Sequence, residues 1–487
     1  MVEIAPQQAP KPAIASYVKE DGVKWSTVSL SEIIAAKSRL DASVYGIEGK
    51  QAHQIVANCK WDKVDIAGEG GLSHAYHRPR FKRVYVEKSN YPIYQPSQIT
   101  ELCPEPAAYI SDKTDTSIDE LRVHKGYVLL TCSGTIGNCS LVSKTLDGAI
   151  FSHDLIRLIP NSDNDAGYIY TYLKSKTGNT IVKTSNYGAV ISHIEPEHLA
   201  HTPIPNPPAL LKQQIHDKIA ESFKLRDESN DLIKEAQAQL QHELSLPPIE
   251  EFSPDYLPHD GLKSYSVKLG DLSERFDGSY HVPIVDSIHK HIQKHASSVT
   301  ALGGGELSGD IILPGRFKRV YLEEGKGTVF IGGKQIFELD PNNKKYLSVG
   351  HHGKRIKDEL TLHENMILIT CSGTIGKVTI VPKHWDGWTA NQHIIRVIAD
   401  TSISGYLYGW LSSSWAAPLI SRFTYGAVVD EIDDKHVAQI AIPLLKNSTI
   451  QKQINENVLA ANKKRYEAYI LEQEALKIMN QQVLGIS

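Results

Sequence analysis

The chain has 487 residues, 41% of them hydrophobic and 22% charged, and a formal net charge of −4. That length exceeds one ordinary domain, the composition is globular, and the mild acidity excludes a uniformly basic nucleic-acid binder, so any such contact must come from local patches. No apolar run reaches the roughly 18–20 residues that cross a bilayer. The N-terminus lacks a charged-then-apolar signal pattern, and five cysteines without a C-x-x-C pair disfavour a zinc site. A soluble protein of the reducing cytoplasm is expected.

Residues 1–24 open with a Pro-, Ala- and Gln-rich stretch suited to a disordered arm. Trp25–Leu30 leads into a short helix predicted over Ser31–Leu40, with Ser31 as N-cap; its counterpart in the second half is Tyr265–Leu272. Gly46–Tyr76 and His281–Leu313 match poorly. Identity returns in Arg80-Phe81-Lys82-Arg83-Val84-Tyr85, repeated as Arg316-Phe317-Lys318-Arg319-Val320-Tyr321. The alternation predicts a strand with Phe and Val on one face and Lys on the other. Val86–Lys125 then diverges from Leu322–Glu364. Thr131-Cys132-Ser133-Gly134-Thr135-Ile136-Gly137 returns unchanged as Thr370–Gly376, each copy between short apolar runs: strand, Gly-bearing turn, strand.

Beyond the hairpins, Asp147-Gly148 and Asp386-Gly387 mark matching turns, and Leu155–Ile159 and Ile394–Ile398 matching buried strands. Short helices follow at Gly167–Lys174 and Gly405–Leu411, then Tyr187-Gly188-Ala189-Val190 and Tyr425-Gly426-Ala427-Val428, then Ile204-Pro205 and Ile442-Pro443. Each half closes with a long helix whose apolar stripe is narrow and coiled-coil-like: Ile215, Ile219, Phe223 and Ile233 in one, Ile450, Ile454, Val458 and Ala461 in the other. Some 30 residues at about 1.5 Å each make a rod of about 45 Å. Four prolines stiffen the segment between the halves. The chain thus divides into an arm (1–24), a first globule (25–208), a first helix (209–245), a Pro-rich linker (246–263), a second globule (264–447) and a second helix (448–487).

Two similar globules on two long helices form a ruler. Paired antiparallel, the helices would set the globules at opposite ends, related by a pseudo-two-fold axis, to grip a long ligand such as duplex DNA at two places. Residues identical in both copies suit scaffold or phosphate contact, and divergent ones suit base reading. In this order the motifs resemble the specificity subunit of a type I restriction-modification system: two target-recognition domains, a Ser-Gly-Thr-Ile-Gly hairpin and Tyr-Gly-Ala-Val segment in each, and the exit Ile204-Pro205-Asn206-Pro207-Pro208 before Gln213-Gln214-Ile215 opens the spacer helix. The second copy departs, with Leu444-Leu445-Lys446 in place of the later prolines. The resemblance implies an α+β fold with mixed sheets and short helices in two tandem target-recognition domains, each followed by a spacer helix. It also implies a non-catalytic adaptor for phage defence that reads a bipartite, asymmetric target in double-stranded DNA. The adaptor would hold two methyltransferase subunits and, in many systems, a restriction and translocase subunit. S-adenosylmethionine would sit on the methyltransferases, with no cofactor on this chain.

The candidate phosphate contacts are Arg80, Lys82 and Arg83 with Arg316, Lys318 and Arg319. His351, His352, Lys354 and Arg355, followed by Lys357, form a predicted basic loop found only in the second half. The hydroxyls of Ser133, Thr135, Ser372 and Thr374 are candidates for DNA contact, against the competing role of capping their turns; Tyr187 and Tyr425 suit packing. Asn206-Pro207-Pro208 is like the adenine-methyltransferase motif that holds a flipped base, but Ala209 stands where that motif needs an aromatic ring. The clusters Gly68–Gly71 and Gly303–Gly305 lack G-x-G-x-x-G spacing. Cys132-Ser133 has no G-x-S-x-G context, and His153-Asp154 is not kept in the second half. Neither catalytic nor metal-binding residues are expected. Two other readings stay open: a stand-alone bipartite DNA-binding regulator, and the recognition half of another split methylation or restriction enzyme.

Overall fold

A computed structural model describes residues 27–35, 45–184, 193–252, 265–272, 275–305 and 307–486. The N-terminal arm, the Tyr187–Val190 segment and most of the Pro-rich linker lie outside them. The first short helix covers Leu30–Ala35 within the described residues. Its cap is Ser29 rather than Ser31: the Glu32 amide donates to Ser29 Oγ (3.2 Å) while the Ser29 amide donates to the Glu32 carboxylate (2.7 Å). This reciprocal capping box satisfies two otherwise orphaned amides.

The duplicated sequence folds into a duplicated topology. In the first half Ser73–Tyr76, Leu155–Pro160, Val128–Thr131 and Cys139–Leu141 form one antiparallel sheet in that spatial order. Tyr85–Val86, Ala108–Ile110, Pro92–Tyr94 and Ile150–Phe151 form a second, whose last pairing is parallel. The second half repeats both orders, from Ile311–Ile312 to Thr374–Ile380 and from Tyr321–Leu322 to Thr389–Ala390. The poorly matching entry segments share a fold as well. Each carries a helix (Ile47–Asn58; Pro283–His295) and a strand (Lys63–Asp65; Ser298–Ala301) paired with its half's exit strand. Sequence diverges there because the helix needs only an apolar face, with Ala52 and Val56 in one and Val285, Ile288 and Ile292 in the other.

Two long helices, Ala209–Glu243 and Ser448–Ile478, run side by side. Lys218 pairs with Glu474, Ser222 bonds the Ala468 carbonyl, and Arg465 bonds Ser229, so the helices are antiparallel. Asn447 caps the second by accepting from the Thr449 and Ile450 amides. Each globule buries the start of its own helix and the end of the other's. Ile215, Ile219 and Phe223 share the first core with Ala475 and Met479, while Ile454 and Val458 share the second with Ala236 and Leu240. At roughly 25 cal/mol per Å2 of apolar surface removed from water, this exchange binds the halves into one unit.

The globules also meet directly. The Leu102 amide donates to the Phe337 carbonyl (2.8 Å) beside a strand-like pairing of Glu101 with Glu338. Lys174 Nζ donates to the Asp340 carbonyl (2.8 Å). On the helices, Asn230 holds the Leu102 carbonyl (2.7 Å).

Candidate nucleic-acid interface

Arg80–Val84 and Arg316–Val320 are extended connectors between the two sheets of each half, not strands; strand structure begins at Tyr85 and Tyr321. Residues two apart share a face in extended backbone, so Phe81 turns inward with Arg83 and Phe317 with Arg319, while Val84 is exposed and Val320 half-buried. Arg83 bonds His153 Nδ1 (3.1 Å) and lies over Phe81; Arg319 donates to Gln392 Oε1 (2.6 Å) and lies over Phe317 and Phe330. The equivalent positions 153 and 392 thus serve the same purpose with different residues, and both arginines are internally engaged. Arg80, Lys82, Arg316 and Lys318 stay exposed. Arg316 is tethered to Glu431 (2.9 Å) while its side chain remains 77% exposed.

The predicted basic loop is a helix. Val349–Arg355 is capped by Ser348, whose hydroxyl accepts from the His351 amide, and continues into a π-helical turn at Ile356–Leu360. His352 Nε2 accepts from the Val320 amide (3.1 Å) and its ring packs on Phe317. Arg355 crosses the same ring, donates to the Gly315 carbonyl (2.9 Å) and pairs with Glu359 (3.1 Å). His352 and Arg355 therefore position the 316–320 connector, whereas His351, Lys354 and Lys357 face solvent.

In the duplicated hairpin a different hydroxyl closes the turn. Thr131 Oγ1 donates to the Thr135 carbonyl (2.5 Å) and accepts from the Asn138 amide (3.0 Å), and Thr370 Oγ1 likewise accepts from the Lys377 amide (3.0 Å). Ser133 and Ser372 are half-buried, Thr135 and Thr374 exposed. The second hairpin is fastened to the connector: Gly373 donates to the Asp430 carbonyl, Ser372 pairs with Glu431, and Glu431 holds Arg316. Arg316, Ser372 and the helix at 349–355 thus converge on one face. In the first half Arg80 lines a small cleft of about 200 Å3 with His77, Cys132, His153 and Asp154. His77 pairs there with Glu195 (3.0 Å) and His153 with Asp154 (3.3 Å). Burial pushes the Cys132 and Cys371 thiols up to about 12, which keeps both protonated and unreactive at neutral pH.

Sequence reading missed the carboxylates, Glu431 above all, since nothing local to them signals their partners. It also missed Arg157 and Arg396, buried in the repeated central strand without a carboxylate partner among the described residues. Each guanidinium donates to main-chain carbonyls instead, Arg157 to Leu155 (3.1 Å), Leu121 (3.0 Å) and Phe151 (3.3 Å), and Arg396 to Asn391 (3.0 Å) and Leu360 (3.4 Å) among others. These arginines tie the two sheets of each globule together. Asn206-Pro207-Pro208 is the lead-in to the first long helix: the Asn206 amide donates to the Asp62 carbonyl (2.7 Å) and Pro208 precedes the first helical residue. Among the described residues no group of His, Cys, Asp and Glu is arranged to hold a metal, and no helix is long and apolar enough to cross a membrane.

A family model described as the type I restriction modification DNA specificity domain matches residues 70–242 and 325–459, more than half of the chain. Among solved structures, the S subunit of a type I restriction-modification system from M. genitalium is similar at 14% identity over 88% of this chain and 96% of that one, with a TM-score of 0.32. The HsdS subunit from Thermoanaerobacter tengcongensis is similar at 17% identity over 87% and 97%, with a TM-score of 0.26. No curated protein matches. Two family matches, one on each copy of a fold whose connectors Arg80–Val84 and Arg316–Val320 each present exposed cations, make this chain a member of the type I restriction-modification DNA specificity family and a DNA-sequence-recognition subunit.

Proposed function

We propose that the chain reads a bipartite, asymmetric target in duplex DNA, one half-site per globule, and positions two methyltransferase subunits on it in the cytoplasm. The observation that carries this reading is the pairing of two topologically identical globules on one antiparallel helix pair. Such a frame sets a fixed distance and a fixed two-fold relation between two reading heads. Arg80, Lys82, Arg316 and Lys318 would contact phosphate, which fixes register and orientation without carrying sequence information. Base reading then falls to surfaces that differ between the halves, the helix Val349–Arg355 among them, since the first half has only the 3-10 turn Asp119–Leu121 in that part of its fold. In this reading the chain is a non-catalytic adaptor, and S-adenosylmethionine and the methyl transfer belong to the partner subunits.

A genome-wide map of modified adenines, with and without the gene, tests this reading. Loss of one gapped, asymmetric methylation motif on deletion is the expected result. Retention of every motif, in a host that expresses the chain and its methyltransferase partners, would overturn it.

A further inference from the structure

Between the globules lies a cleft of about 650 Å3 whose walls come from both halves. Lys174, Lys176 and Lys183 line it from the first globule, Lys344 and Lys345 from the second, against the carboxylates of Glu324 and Asp340. Those carboxylates are already engaged: Lys176 pairs with Glu324 (2.8 Å) and Lys344 with Asp340. Lys174 turns inward to the Asp340 carbonyl (2.8 Å) and to Glu472 (3.7 Å). Two ammonium groups are left. Lys183, half-buried, donates to Asn343 Oδ1 (3.1 Å), and Lys345, exposed, lies over the Tyr321 ring at 5.1 Å. Among the described residues no carboxylate stands within ion-pair distance of either. Burial pushes the Lys183 ammonium below its ordinary range, as expected of a cation held without a counter-ion.

The arrangement is built rather than incidental. Gly137 of the duplicated turn has φ +90°, and a Cβ there would come within 3.1 Å of Lys183 Cε and 3.0 Å of Asn179 Nδ2. The turn therefore leaves room for this lysine stem. The other seam of the pseudo-symmetric molecule carries Lys377 instead, and that lysine is already paired with Glu105 (3.6 Å). The equivalent glycine, Gly376, faces Ile420 of the apolar helix Ala416–Ser421. Strand register places Ala108 at the position of Lys345, because Tyr109 pairs with Val86 as Tyr346 pairs with Leu322. A scaffold requirement would recur in both seams, and this cluster does not. The cleft is also continuous with the candidate DNA face, since its lining residues Tyr321 and Leu322 follow directly on the 316–320 connector.

We propose that this cleft takes phosphate groups of the DNA backbone between the two half-sites, with Lys183 and Lys345 as the contacting residues. The inference rests on the DNA-reading function above. Unread base pairs offer only their backbone, and paired ammonium groups recognise that backbone without regard to sequence.

The test is duplex binding by the full chain with its methyltransferase partners across a salt series. Lys183→Gln/Lys345→Gln should lower the slope of log affinity against log salt by about 1.8, at about 0.9 per phosphate contact, and weaken all duplexes alike. Lys345→Arg should keep the wild-type slope. If the double variant folds poorly, Lys345→Gln alone, at an exposed site, should lower the slope by about 0.9. A duplex with neutral methylphosphonates confined to the gap should bind wild type more weakly and the double variant no more weakly than it binds unmodified DNA. An unchanged slope, or equal sensitivity of both proteins to the gap methylphosphonates, overturns the cleft assignment. Inorganic phosphate that binds wild type through these lysines while the slope stays unchanged would make this a small-anion site and overturn it too. Wild-type protein that binds no duplex overturns the DNA-reading function itself.

Discussion

Replacement of Glu472 by Leu should destabilise the molecule by about 3–5 kcal/mol. Its side chain is 2% exposed and sits where three elements meet. It pairs with Arg226 of the first long helix, accepts from Tyr170 Oη (2.9 Å) and lies 3.7 Å from Lys174, the latter two on the helix Asp163–Lys174 of the first globule. Burial alone would push the carboxyl up, but Arg226 and Lys174 outweigh it and hold the group below its ordinary range. Leu at this position fills much of the space yet strands two buried cations, and that loss outweighs the apolar surface gained. Glu472→Gln keeps the shape and should lose about 1.5–3 kcal/mol, the contribution of hydrogen bonds to a charged group. Arg226→Met combined with Glu472→Leu should lose less than the sum of the single changes, because each removes the other's unpaired charge. Urea unfolding followed by tryptophan fluorescence measures wild type, the three single variants (Glu472→Leu, Glu472→Gln and Arg226→Met) and the double variant. A Glu472→Leu protein within about 1 kcal/mol of wild type, or strict additivity in the double variant, would refute this account of the helix pair.

The seam carries a second ionisable group, Glu338, whose carboxyl burial pushes from 4.5 up to about 7. Between those values the folded chain holds a proton that the unfolded chain releases, so stability falls as pH rises through the window and levels off above it. Glu338→Gln should remove that slope and stabilise the protein at pH 8 by up to about 3 kcal/mol, since each pH unit across the window corresponds to about 1.4 kcal/mol. Unfolding at pH 5 and pH 8 decides, and an unaltered pH dependence contradicts it. Lys82→Gln and Lys318→Gln should each lower the salt slope of DNA binding by about 0.9 and weaken all duplexes equally, whereas wild-type affinity in both removes these lysines from the interface. Seven residues inserted at matching points of both long helices add about 10 Å, close to three base-pair steps at about 3.4 Å each. The methylated target's gap should lengthen accordingly, at reduced affinity because the Leu102–Phe337 hydrogen bond must open; an unchanged gap rejects the helix pair as the spacer.

Much of this architecture is legible in the sequence alone. Turn chemistry acts over a few residues, so Thr131–Gly137 and its copy announce a strand, a glycine turn and a strand. Helical periodicity acts over four, so Ile215, Ile219 and Phe223 announce a buried stripe. Repetition of both at corresponding places determined that the chain is two related halves, each closed by a long helix. Local patterns misled where a neighbour from elsewhere prevailed. The alternating Arg80–Tyr85 segment has no strand partner until Tyr85 and remains an extended connector. His351–Arg355 is held helical by Ser348 and by its packing on Phe317. Only the tertiary structure decided which charges are spoken for and which are free. Glu431 faces Arg316, Glu472 faces Arg226, and Lys183 meets Asn343 across the seam. Those partners lie more than a hundred residues apart, and no local pattern encodes them, because they arise only when the second globule folds, the two helices pair and the two globules close against each other.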